Sequence, residues 1–269
     1  MIYLKNLCKS GLWVISLSLS LLNTGRCATE THEDHAASSA EVLKNISRDT
    51  ARYGELIYKG TVFKLDTEHT SPLYVSEHRV RNKGELQIST SYTHDKHDVA
   101  LMQMATHDAV YQLKEYTEYQ FQLSEVGSVN ITGTTAQFHR LGGEFEKRAQ
   151  ETVKLPVVVG PTLYGFVFQN WEKLLSGDTV PFRFAVISRM ETVGFILQKV
   201  SSSDSLVRIR MKASNPFIAL MVNPITFTFY ADRRLVSLAG RVPTKLKKGN
   251  SWVDLDAFVE YENVSPSFR

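Results

Sequence analysis

The chain has 269 residues, 43% of them hydrophobic and 22% charged, which suits one large globular domain with a sizeable core. Its formal charge of +3 is carried entirely by Lys5, Lys9 and Arg26, so residues 28–269 are neutral overall and give no ground for a nucleic-acid partner. Both cysteines, Cys8 and Cys27, fall in that same N-terminal stretch, which leaves the remainder without a disulfide.

Residues 1–27 read as a cleavable secretory signal. A lysine-bearing start precedes the apolar run Leu12–Leu22, and Gly25 and Cys27 supply small residues ahead of a cut before Ala28. The run is too short for a membrane span, which needs ~20 apolar residues. Acylation of Cys27 is the alternative, opposed by the large, charged Arg26 beside it. An exported, cysteine-free domain points to a bacterial periplasm, with no transmembrane span after cleavage. Residues 28–48 are small, polar and acidic, a flexible leader in which Ser38-Ser39-Ala40-Glu41 has the spacing of a helix cap.

Residues 49–269 form a single mostly β domain. Leu73–Arg81 and Glu85–Tyr92 alternate in polarity on either side of Asn82-Lys83-Gly84 and predict a hairpin. Gly160-Pro161-Thr162 then opens a segment whose Leu163, Phe166, Val167, Trp171, Leu174 and Leu175 recur at helical spacing, with Gly177 placed to end it. This predicts one amphipathic helix over 161–176. Alternation returns in Val193-Phe195-Leu197, Val207-Ile209-Met211, Ile225-Phe227-Phe229 and Val253–Tyr261. The fold expected is mainly β: a curved antiparallel sheet, half-barrel or open barrel, wrapped around that helix.

The stretch VVVGPTLYGFVFQNWEKLLSGDTVPFRFAVISRMETVGFILQKV, with its helix running into PFRFAV and ETVGF, resembles a group of exported bacterial proteins of unassigned activity. The overall plan resembles the lipoprotein-carrier (LolA-like) half-barrel. That resemblance implies a periplasmic protein that shelters an acyl chain or other apolar ligand, and it supplies no catalytic residues.

The chain shows no G-x-S-x-G elbow, no H-E-x-x-H and no glycine-rich phosphate loop. His32 and His35 lie in the leader. His94, His97 and His107 are the nearest approach to a metal-dependent hydrolase, the last-ranked reading, but their surroundings read as a polar turn. No metal site or cofactor is assigned. Between residues 179 and 248 twelve Lys/Arg face three acids, a basic segment that includes Arg208 and Arg210. The leading expectation is a non-enzymatic protein that holds a lipid or other apolar molecule between sheet and helix, lined by Tyr164, Phe166, Phe168, Trp171, Phe195 and Phe227. The alternative is an envelope scaffold that docks an acidic partner on Arg208 and Arg210.

Overall fold

A computed structural model describes residues 38–81, 85–143, 145–154, 156–220 and 222–265. The signal-peptide reading and the histidines of the leader fall outside these residues.

The chain begins with α1 (Ser39–Asn45), capped as its sequence predicts by Ser38, whose hydroxyl accepts from the Glu41 N–H. Eight strands follow as an antiparallel meander: β1 (Glu55–Lys64), β2 (Tyr74–Arg81), β3 (Leu86–Thr93), β4 (Val99–His107), β5 (Leu113–Gln120), β6 (Glu125–Thr132), β7 (Thr135–Leu141) and β8 (Glu146–Thr152). The short β9 (Val157–Val158) leads into α2 (Gly160–Gln169) and α3 (Trp171–Ser176). A second meander completes the chain: β10 (Val180–Val186), β11 (Glu191–Ser202), β12 (Leu206–Ala213), the one-turn helix α4 (Pro216–Ala219), β13 (Ile225–Tyr230), β14 (Leu235–Lys248) and β15 (Ser251–Asn263).

All fifteen strands belong to one sheet. Its order runs from β8 back to β1, then through β15 down to β9, so the first and last strands of the chain pair at its centre. The sheet is curved and unclosed, since its two edge strands, β8 and β9, do not pair with each other. Its ends instead overlap. Val157 and Val159 pack with Ala105, Leu113, Tyr116, Val129 and Phe138 of the first meander, while Val158 packs with the helices and the second meander. A strand buried on both faces needs an unbroken apolar run, and Val157-Val158-Val159 supplies it. Gly127 makes room for the overlap, because a Cβ there would stand 2.1 Å from Ile187 Cγ2.

The helical segment differs from the single amphipathic helix predicted. It is divided at Asn170, which sits at φ −100° and turns its side-chain Nδ2 back to donate to the Phe166 carbonyl at 2.9 Å. That side-chain bond competes with the helical ladder and ends α2. Seven consecutive residues, Pro161–Val167, are buried, so α2 is enclosed on all sides rather than along one stripe. Only α3 is amphipathic, with Trp171 and Leu174 buried and Glu172 and Lys173 exposed. Gly177 ends it in the left-handed region at φ +98°.

Candidate functional site

All six aromatic residues expected to line a cavity meet in one cluster around α2. Phe166, Trp171, Tyr164 and Phe227 are buried, and Phe168 and Phe195 pack against them. Tyr164 meets Phe168 edge to face at 4.5 Å, Trp171 meets Phe229 edge to face at 5.4 Å, and Phe182 stacks on Phe195 at 6.1 Å. Helical spacing drives these rings into the concavity of the second meander, where they fill it as core.

Open space lies on the other flank of α2. A groove of about 510 Å³ runs between the α2–α3 break and the β4–β5 turn. Phe166, Val110 and Pro156 give it an apolar floor, and Asp108, Gln112, Gln169, Asn170 and Lys173 give it a polar rim. Its walls are held by specific bonds. Asp108 Oδ1 accepts from the Val110 and Gln112 N–H groups, both at 2.9 Å, which fixes the turn. Gln112 Oε1 accepts from the Val157 N–H at 2.9 Å and ties the turn to β9. Tyr111, in the left-handed region at φ +57°, lays its ring against Gly165, where a Cβ would stand 1.8 Å from the ring. Among the described residues Lys173 has no side-chain hydrogen bond or ion-pair partner, so an ammonium stands free at the rim.

Behind this turn a polar relay crosses the inner face of β2, β3 and β4. His78 Nε2–H donates to Gln87 Oε1 at 2.6 Å, and Gln87 Nε2–H donates to His107 Nε2 at 3.2 Å. His107 Nδ1–H then donates to the Asp108 carbonyl at 2.6 Å. The amide between the rings fixes the neutral tautomer of each. Tyr58 stacks on His78 at 4.6 Å and Tyr111 on His107 at 4.4 Å. Burial holds the His78 imidazole down to about 4, partly offset by its bond to Gln87. Burial likewise pushes the phenols of Tyr58, Tyr116, Tyr164 and Tyr261 up.

The histidines weighed for a metal are not assembled. His94 and His97 stand in the β3–β4 turn at one end of β4, and His107 is buried at the other, roughly 30 Å along the strand at its usual rise per residue. Among the described residues no group of three or more His, Cys, Asp or Glu is placed to hold a metal ion. Arg208 and Arg210 lie on the outer face of β12, away from the groove. Asp254 and Asp256, on the outer face of β15, pair with Arg241, and Asp254 also pairs with Lys245.

Of the groove residues, the sequence marked Phe166 alone; Asp108, Val110, Gln112, Pro156, Gln169, Asn170 and Lys173 were missed. The signals present were the Asp108 turn chemistry and the polar pair Gln169-Asn170 interrupting an apolar run.

No protein-family model matches the chain, and no curated protein matches it. Among solved structures it is similar to a beta-barrel-like protein of a domain of unknown function, DUF1849, from Brucella abortus. The likeness covers 78% of this chain and 97% of that one, at 9% identity and a TM-score of 0.45. No helix among the described residues is long and apolar enough to cross a membrane.

Proposed function

We propose that this is a non-enzymatic, exported binding protein that holds an amphipathic ligand, apolar along its body and anionic at one end, in the groove beside α2 and α3. The observation that carries the reading is the groove itself: an apolar floor on Phe166 and Val110 under a polar rim with one free ammonium at Lys173. Ligand sites are concave and mostly apolar, with few polar groups that fix orientation. The resemblance of the overall plan to the lipoprotein-carrier half-barrel points to the same ligand class, an acyl chain, and the export expected from residues 1–27 would give access to it. The proposed site is bounded by α2, α3 and the β4–β5 turn, with Phe166 shared between the aromatic core and the groove.

The test is native mass spectrometry of protein purified from its own host, with a fatty acid as the titrated probe. Val110 is 53% exposed, so Val110→Arg fills the groove without disturbing the core. It is expected to abolish co-purified ligand and to weaken fatty-acid binding at least about tenfold, while Lys173→Glu weakens it less. Wild-type protein that carries no ligand and takes up no fatty acid would overturn the reading.

A further inference from the structure

The connection between β12 and β13 presents apolar side chains to solvent. Phe217 is 71% and Leu220 86% exposed, and Val222 is exposed beside them. Asn215-Pro216 opens the loop and Asn223-Pro224 closes it. The Asn215 side chain accepts from the Phe217 N–H at 2.8 Å, and Ala219, Leu220 and Val222 N–H groups donate four residues back. The asparagine cap and these backbone bonds place Phe217, Leu220 and Val222 with their side chains toward solvent.

The strand that leads into this loop is cationic on the same outer surface. Arg208, Arg210 and Lys212 alternate along β12, receding from the loop in steps of roughly 6–7 Å at the usual strand rise. Their neighbours in register are Ser201, Gln198 and Ile196 on β11 and Thr228 and Thr226 on β13, none of them a carboxylate. Among the described residues none of the three cations has a side-chain hydrogen bond or ion pair, and Arg210 Nε is buried without an acceptor. The contrast with β14 and β15 is direct, since there Arg241 and Lys245 are neutralised by Asp254 and Asp256.

We infer that this loop and strand dock the protein on an anionic lipid surface, with Phe217, Leu220 and Val222 at the acyl boundary and Lys212, Arg210 and Arg208 among the headgroups. Three such side chains offer a few hundred Å² at most, given ~150–250 Å² for a whole aromatic ring. A stable protein interface needs about 800 Å² per partner, so the patch is too small for a second copy. An apolar tip backed by free cations is what an anionic bilayer complements. The carboxylates of the β1–β2 and β3–β4 turns, Asp66, Glu68, Asp95 and Asp98, lie at the same end of the sheet. Repulsion holds them off the surface, so the molecule leans on its β12–β13 corner. The site is separate from the groove, and its test does not depend on groove occupancy.

The test is co-sedimentation with vesicles of phosphatidylglycerol and phosphatidylethanolamine against vesicles of phosphatidylcholine alone. Binding is expected to the anionic vesicles only and to fall with added salt. Phe217→Ser with Leu220→Ser, and separately Arg208→Glu with Arg210→Glu, are each expected to lower it at least about tenfold. All four positions are on the surface or partly so, and an unchanged thermal midpoint shows that folding is intact. Sedimentation velocity decides against a second copy if the wild type stays monomeric. Absence of wild-type binding, equal binding to both vesicle types, or an unaffected double variant would each overturn the inference, as would a dimer that the apolar double variant dissolves.

Discussion

A histidine buried between a tyrosine and a glutamine has a measurable consequence. His78 is 2% exposed and donates to Gln87, and burial lowers its pKa from 6.5 to about 4. Folded protein therefore keeps the ring neutral where the unfolded chain takes up a proton. The stabilisation is fully present above pH 6.5 and is lost as pH falls from 6.5 toward 4, by roughly 3 kcal/mol over the interval. His78→Phe preserves the stack on Tyr58 but has no proton to gain. At pH 7 the variant is expected to be the less stable, because Gln87 loses a partner. The gap between the two should narrow as pH falls through the window in urea titrations. A gap that stays constant from pH 7 to pH 4 would show that His78 is not the linked group. Nothing in the sequence around His78 distinguished it: Tyr74–Arg81 alternates like any half-buried strand, and the partners Gln87 and His107 come from other strands. A relay assembled diagonally across three strands leaves no local spacing to read.

Elements were legible where one physical requirement fixes one local pattern. Period-two alternation located β2, β12, β13 and β15, each with one core face and one wetter face, and it also located β3 and β11, whose burial does not alternate: Leu86-Gln87-Ile88 and Thr192-Val193 are buried in a row. Ser38 and Gly177 announced their helix ends for the same reason. The division at Asn170 was not legible, since it depends on a side chain turning back to its own helix. Nor was the role of α2 as an enclosed helix: spacing reveals an apolar stripe, whereas all-round burial comes from strands remote in sequence. Gly165 shows the difference. It breaks no pattern in GPTLYGFVFQ, yet the ring of Tyr111 occupies the place of its side chain. Gly165→Ala gains helix propensity but must displace that ring, and displacement is expected to win, with a net loss of about 1–3 kcal/mol in chemical denaturation. Adding Tyr111→Ala should restore most of the loss by emptying the space. If the double variant is no more stable than the single, the contact is not what makes glycine necessary.

At the scale of the molecule, the question is what holds an unclosed sheet shut. Hydrogen-bonded strands do not close it; the apolar overlap of Val157 and Val159 with the first meander joins its ends, and side-chain amides add a second tie between the two meanders. β14 runs past the end of β13, whose pairing with it stops at Ala239, and its register with β15 shifts between Val242 and Lys245. Gln122, after β5, reads the edge of β14 as a strand would: Oε1 accepts from the Lys245 N–H at 2.8 Å and Nε2 donates to the Lys245 carbonyl at 3.0 Å. Tyr74 hydroxyl adds a second donor to the same carbonyl at 2.5 Å, and Gln120 reaches the Pro243 carbonyl at 3.3 Å. Gln122→Leu keeps the size of the side chain and removes both amide bonds. The carbonyl retains Tyr74, but the Lys245 N–H is left without its partner, so the expected cost is about 1–3 kcal/mol. Hydrogen exchange at the Lys245 amide should accelerate far more than exchange in the centre of β15, because the opening is local to the seam. An uncovered strand edge also invites pairing with another chain, so the variant should form dimers at concentrations where the wild type does not. Unchanged protection at Lys245 would show that this edge is held by the packing beneath it, by Leu246 and Leu255 in the core of the first turn of the sheet, and that Gln122 merely rests there.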